Sequence, residues 1–194
     1  MIVLASGSAS RRAMLDAAGV VYEVMASDID ERAVEARMES AEPGAVALAL
    51  AEAKAIDVSR QKPGRLVLGG DSVVAVEGRR YSKPASRDDA AAHLRAFSGR
   101  TMGLWSAAAF ACDEVPVESH VEPARLHVRD LSAAFIATYL DAEWPAIAGC
   151  VGCFRVEGPG VQLFERVEGG HFTILGMPLF WVLGALRRAG ALPT

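Results

Sequence analysis

The sequence predicts an α/β fold: a mixed, twisted sheet with flanking helices. Three observations carry this expectation. The chain opens on a wholly apolar run, "MIVLA", which passes through a serine-rich turn into a helical stretch. An alanine-rich helix over Pro43–Arg60 then feeds the apolar segment "GRLVLGG". Later apolar segments return as hairpins, adding antiparallel pairs to a parallel start.

In order along the chain, "MIVLAS" reads as a buried strand and Arg11 to Ala18 as a short helix stopped by Gly19. "VVYEVMAS" alternates enough for a second strand, and "SDIDER" follows as an acidic loop. After the Pro43–Arg60 helix, "GRLVLGG" is a fully buried strand with a glycine stop. "SVVAVEGRRYSKP" predicts a hairpin turning at Glu77-Gly78, Arg87 to Phe97 a helix, and Thr101 to Cys112 a long strand. Val115 to Val128 is its expected antiparallel neighbour, and Ser132 caps a helix reaching Leu140. A strand over Val161–Val167 and a helix over Leu179–Ala189 close the chain. There are no repeats, low-complexity segments or linkers, so residues 1–194 are expected to form one functional domain.

Composition narrows the functional classes. At 52% hydrophobic and 23% charged residues, the chain can bury a sizeable core. A net charge of -4 argues against broad nucleic-acid contact, which needs a basic surface. No apolar run is long enough to span a bilayer, and the opening one is too short for a secretory signal, so a cytoplasmic location is expected. Cys112, Cys150 and Cys153 make an odd count. Cys150 and Cys153 form a C-x-x-C in "GCVGCF", read as two small residues packed near a turn that leads into a strand, because the four histidines lack zinc-ligand spacing.

Several residues break local rules. Lys54 sits in the middle of an apolar arc of Ala47, Leu50, Ala51, Ala55 and Val58, opposite Glu52, Asp57, Ser59 and Arg60. Either it snorkels outward along its stem, or it carries a cation toward an anion. Asp71 follows two glycines at the expected C-terminal end of a buried strand, where α/β proteins place ligand crevices; a simple turn former is the alternative. Asp28, Asp30 and Glu31 are either solvated or suited to magnesium. Lys83, ahead of Pro84, adds another cation. "LASGSASRR" places Ser8 and Arg11 at a helix start, where free N–H groups either receive a cap or bind an anion. Cations for a polyphosphate and carboxylates for a divalent metal together suggest a phosphate-handling enzyme. Among anion-binding motifs, no Walker loop is present.

"LASGSASRRAMLDAAGV" resembles the opening signature L-A-S-x-S-P-x-R-x-x-L-L of the Maf family of nucleoside-triphosphate pyrophosphatases. "GGDSVVAVEGRRYSKP", "AFSGRTMGLWSAAAF" and "GCFRVEGPGVQLFERVEGGHFTILGMPL" resemble its later blocks, in order and from Ile2 to about Leu186. The resemblance implies two lobes around a cleft, an often homodimeric enzyme, and cleavage of a nucleoside triphosphate to monophosphate and pyrophosphate. It implies Asp71 as proton acceptor, Ser8, Arg11, Lys54 and Lys83 on the phosphates, and Glu31 with Asp71 on a divalent cation, Mg2+ with Mn2+ as the alternative. Such enzymes act on non-standard nucleotides, and some members are tied to septum formation. A nucleotide-binding regulator, related to septum formation and with weak or no catalysis, is the competing expectation, motivated by the departures from the family pattern at Ala9, Ser10 and Ser72.

Base preference is implied to rest on Ser10, Ser72 and Glu157. Members acting on dTTP and UTP typically carry Arg, Thr and Gln there, and those acting on 7-methyl-GTP carry Trp, Gln and Glu. Glu157 and "EGPGVQLFERVEG" resemble the second group, whereas Ser10 and Ser72 match neither. Ala9 replaces the signature proline, and Ser106-Ala107 replaces the usual Thr-Gly. A carboxylate at position 157 can accept two hydrogen bonds from the guanine edge, where uracil and thymine offer one donor; an exposed turn acid is the alternative. With serine at position 10, a stacking surface for a cationic methylated base is missing, and Trp105 either replaces it or belongs to the core. The favoured substrate is 7-methyl-GTP-like, with dTTP or UTP as the alternative.

Overall fold

The structure, a computed structural model, describes residues 1–193. Among these residues a seven-stranded mixed sheet runs in the order β2 (Tyr22–Val24), β1 (Ile2–Leu4), β3 (Val67–Val76), β5 (Thr101–Cys112), β6 (Val115–Val128) and β7 (Phe164–Glu168), with β4 (Arg79–Tyr81) paired to β3. The chain divides into two compact units: 1–72, 105–122 and the segment from Gly170 onward form the first, and Val73–Leu104 with Pro123–Gly169 the second. No helix among the described residues is long and apolar enough to cross a membrane.

In the first unit, β1 (Ile2–Leu4) lies parallel to β2 (Tyr22–Val24), with Ile2 opposite Tyr22 and Leu4 opposite Val24. It is also parallel to β3 (Val67–Val76), Val3 facing Val67 and Leu4 facing Leu68. Side chains alternate across a strand, so β1 feeds two cores. Ile2, Leu4 and Leu68 pack with Met14 and Leu15 of α1 (Ala9–Ala17) and with Leu179, Val182 and Leu186 of α7 (Leu179–Arg188). Val3, Ala5 and Val67 pack on the other face against Ala55 and Val58 of α3 (Pro43–Gln61). Burying one such leucine or valine side chain contributes about 1.5–3 kcal/mol.

The predicted glycine stop in "LVLGGD" does not occur. β3 continues unbroken from Val67 to Val76, so Asp71 is a mid-strand residue and not a strand-end one. The glycines serve close approach instead. A Cβ on Gly69 would lie 2.1 Å from the Ala51 carbonyl oxygen and 2.8 Å from the Ala55 nitrogen, so α3 rests directly on the strand backbone.

The second unit begins with the remainder of β3, which turns at Glu77 (φ 50°) and Gly78 (φ 80°) into β4 (Arg79–Tyr81). Positive φ at both central residues is what a tight two-residue hairpin requires. The unit carries α4 (Arg87–Phe97), capped by Ser86, and α5 (Ala133–Glu143), capped by Ser132 and longer by three residues than expected. The long strands β5 (Thr101–Cys112) and β6 (Val115–Val128) contribute residues to both units. Within the second, β6 pairs antiparallel with β7 (Phe164–Glu168), Leu126 opposite Val167.

Three further expectations are corrected. Glu31 is not in a loop: it opens α2 (Glu31–Arg37), whose cap is the Asp30 side chain accepting from the Ala33 N–H. The acidic residues that suggested a solvated loop are what a helix N-terminus favours. The strand expected from Val161 begins only at Phe164, because Pro159 starts a 3-10 helix over Pro159–Leu163. Cys153–Val156 leads into turns and not a strand, and a short helix, α6 (His171–Ile174), precedes α7.

Gly69→Ala should lower stability by about 3 kcal/mol, since a methyl group there must push α3 off the strand. A fall in the urea midpoint at unchanged denaturant slope would report it; a midpoint within experimental error of wild type would show that the helix yields without cost.

Candidate functional site

The close seating of α3 on β3 explains how Lys54 escapes its apolar arc. Gly69 meets Ala51 and Ala55, Lys54 lies in the same helical turn, and Asp71 follows Gly69 by two residues along the strand. Its stem is buried, with the residue 8% exposed, and its Nζ stands 2.6 Å from Asp71 Oδ1 and 2.8 Å from Glu31 Oε1. The outward-snorkelling alternative is thereby excluded. The ammonium ends inside the first unit, between a mid-strand aspartate and the first residue of α2.

Arg11 forms the second feature. It lies on the first turn of α1, behind the cap residue Ser8, whose Oγ accepts from the Arg11 N–H. The side chain turns inward and is 8% exposed. Its Nε donates to the Gly176 carbonyl at 2.9 Å, Nη1 to Ser6 Oγ at 3.1 Å and Nη2 to Ser72 Oγ at 3.1 Å. All three contacts are neutral. Burial pushes the guanidinium below its usual range, while the charges of Asp71 and Glu31 act in the opposite direction. A buried cation beside a helix N-terminus, with only neutral partners in contact, is an environment that attracts an anion.

Ser10 and Ser72 belong to the same surroundings. Ser10 Oγ lies 3.0 Å from Ser8 Oγ, and Ser72 Oγ 3.0 Å from Ser106 Oγ. Ser106, fully buried, donates to the Thr173 carbonyl at 2.7 Å, and Thr173 donates onward to Glu122. Gly176 (φ 105°) faces this group, and a Cβ on it would stand 3.4 Å from Ser72 Oγ. Sequence reasoning missed Ser6, Thr173 and Gly176, and noticed Ser106 only as a departure from a motif. The available signal was a serine inside the otherwise apolar strand "LWSAAAF" and a glycine in a Gly-Met-Pro turn. Trp105 is half-buried and packs over Gly44 at the start of α3, where a Cβ would lie 2.9 Å from its Cδ1.

Lys83 and Glu157 stand in the second unit, both exposed: Lys83 just past β4, and Glu157 within the turn before the 3-10 helix. There Arg155 forms a two-pronged pair with the buried Glu143. Cys150 and Cys153 are free thiols at a turn, as expected, with Cys153 N–H donating to the Cys150 carbonyl at 3.2 Å. Burial pushes the Cys153 thiol up to about 12.

The chain belongs to the Maf-like protein family, whose model matches residues 1–189 and so takes in segments of both units. It is 44% identical to a nucleoside triphosphate pyrophosphatase of Sphingopyxis alaskensis over 195 residues, 99% of this chain and 98% of the relative. It is 45% identical to a 7-methyl-GTP pyrophosphatase of Rhizobium meliloti over 194 residues, 99% of this chain and 98% of the relative. Among solved structures, a nucleoside-triphosphatase / dITP/XTP pyrophosphatase from Mycobacterium abscessus aligns at TM-score 0.43 and 17% identity, covering 99% of this chain and 97% of that one.

Arg11→Lys keeps the charge, but one ammonium nitrogen cannot match three acceptors that are each served by a different guanidinium nitrogen. It should lower unfolding free energy by about 2 kcal/mol in urea titration. In a separate measurement at neutral pH, a thiol reagent should label Cys153 only after denaturation, because its sulfur is fully buried and held protonated.

Proposed function

We propose that this chain is a nucleoside triphosphate pyrophosphatase, cleaving between the α and β phosphates to release a monophosphate and pyrophosphate. The observation that carries the reading is the convergence of Glu31 and Asp71 on Lys54, beside the buried, neutrally contacted Arg11. The relatives named nucleoside triphosphate pyrophosphatase and 7-methyl-GTP pyrophosphatase support it along the chain's length.

In this reading Arg11, the N–H groups at the start of α1 and Lys54 take the charge of the phosphate chain, with Lys83 as a further cation. The arriving phosphates compete with the carboxylates for the Lys54 ammonium, and its shift toward them releases Asp71 Oδ1. Asp71 then takes a proton from water as the water oxygen attacks the α phosphorus. The bond from that phosphorus to the bridging oxygen breaks, and pyrophosphate leaves with the electron pair.

A divalent cation fits the donor set. Glu31 and Asp71 are hard oxygen donors that already converge on one positive centre, the Lys54 ammonium. Two carboxylates with the substrate's phosphate oxygens and water are how Mg2+ is commonly held, and Mn2+ accepts the same donors. When bound, it would neutralise phosphate charge. Glu157 supports a guanine-type base, 7-methyl-GTP-like, since its two oxygens can accept from both donors of that edge. In the first unit, Ser10 and Ser72 offer hydroxyls in place of an aromatic face.

Asp71→Asn should reduce pyrophosphate release by about 10²–10⁴-fold, with nucleotide binding less affected. Lys54→Ala should weaken binding of the triphosphate more than of the monophosphate. Pyrophosphate release from a panel of 7-methyl-GTP, GTP, dTTP and UTP, with Mg2+ and with chelator, tests the whole reading. Orthophosphate as the only inorganic product, or full turnover in chelator, would overturn it.

A further inference from the structure

Glu143 ends α5 as a carboxylate only 3% exposed, at the helix terminus where the backbone dipole disfavours negative charge. Arg155 makes that burial tolerable by closing on it with both prongs of its guanidinium: Nε to Oε2 and Nη2 to Oε1, each 3.0 Å. A buried ion pair adds little net stability compared with apolar side chains of the same volume. What it does add is direction, because a fork of two parallel hydrogen bonds holds the arginine in one orientation.

The backbone of Arg155 is equally engaged. The Gly158 N–H donates to its carbonyl at 3.1 Å, closing a turn whose two central residues are Val156 and Glu157. A Cβ on Gly160 would lie 2.6 Å from that same oxygen and 2.7 Å from the Arg155 nitrogen, so the chain folds back against Arg155 after the turn. Arg155 therefore anchors the turn with its main chain while Glu143 anchors Arg155 by its side chain. Charge neighbours the turn as well: Glu157, Arg155, Lys83 and Glu143 all act on the Cys150 thiol.

We propose that the Glu143–Arg155 pair is a positioning device for base selection, holding the Arg155–Gly158 turn so that the Glu157 carboxylate presents both oxygens to a guanine-type edge. This rests on the pyrophosphatase reading and on Glu157 as its base-reading group. In this role Glu143 and Arg155 act through the turn and not on the substrate. Their effect is on the entropy of the turn: a loose turn still carries a carboxylate, but one oriented for two hydrogen bonds only part of the time.

The experiment measures kcat and KM for pyrophosphate release from 7-methyl-GTP, GTP and UTP in wild type, Arg155→Ala, Arg155→Lys, Glu143→Gln, Glu157→Ala and the double variant Arg155→Ala/Glu157→Ala. Arg155→Ala should lower kcat/KM for the two guanine nucleotides about tenfold, mostly through KM, with UTP changed less than twofold. Arg155→Lys should recover only part, since an ammonium cannot make the fork. Glu143→Gln retains the volume and keeps the test open should Arg155→Ala not fold. Its loss should follow the same nucleotide pattern. In the Glu157→Ala background, Arg155→Ala should add nothing. Amide exchange at Gly158 should speed up in Arg155→Ala, independently of activity.

Equal losses on all three nucleotides, or additive losses in the double variant, would overturn the positioning role while leaving the pyrophosphatase reading intact. Wild type that releases pyrophosphate with no change of preference in Glu157→Ala would overturn it through its premise. Wild type that releases no pyrophosphate would overturn the pyrophosphatase reading itself, while Gly158 exchange still reports whether Arg155 holds the turn.

Discussion

The closeness of α3 to β3 is the constraint on which the first unit's chemistry depends. A helix normally stands off a sheet by the thickness of two layers of side chains. Here Gly69 has no side chain, Ala51 and Ala55 have almost none, and the strand backbone meets the helix backbone directly. That contact brings a lysine, planted in an otherwise apolar arc, within 2.6 Å of a carboxylate in the middle of a strand. At ordinary spacing the same lysine would have turned toward water along its stem. The pairing with Asp71 and Glu31 thus follows from three small residues rather than from the charged ones.

Arg11 is buried by different means. Its three hydrogen bonds go to a carbonyl and two hydroxyls, which satisfy its donors without cancelling its charge. The nearby carboxylates act at longer range and are themselves in contact with Lys54. Among the described residues, the first unit therefore buries two cations of distinct kinds. Lys54 is neutralised in place, and Arg11 is solvated by the protein and left with its field. An incoming polyanion would meet the second and compete for the first.

In the second unit, order around Glu157 comes from what precedes and follows it. A glycine carrying no Cβ at position 160, a backbone hydrogen bond from Gly158 and the Glu143 fork all act on Arg155, two residues before the exposed acid. Placing the rigidity beside an exposed carboxylate leaves both of its oxygens available. A direct hydrogen bond to Glu157 would have occupied one of them.

The sequence by itself determined the fold class and most of the elements, and it marked the candidate site residues. These depend on local periodicity, capping side chains and turn residues: the Glu77-Gly78 hairpin, the Ser132 cap and the apolar opening strand are all legible within a few positions. Lys54 stood out as a charge inside an apolar arc, Asp71 as a carboxylate behind two glycines, Glu31 as part of the acidic stretch "SDIDER" and Arg11 by its place at a helix start. Tertiary structure alone decided that Gly69 marks a contact and not a strand end, because a glycine between apolar residues looks the same whether it stops a strand or admits a helix. It alone decided that Glu31 opens a helix, that Arg11 turns inward onto Ser6, Ser72 and Gly176, and that Glu143 and Arg155 form a pair. The partners of Arg11 lie 5, 61 and 165 residues away, and hydroxyls or carbonyls at such separations leave no periodic or compositional trace until packing brings them together.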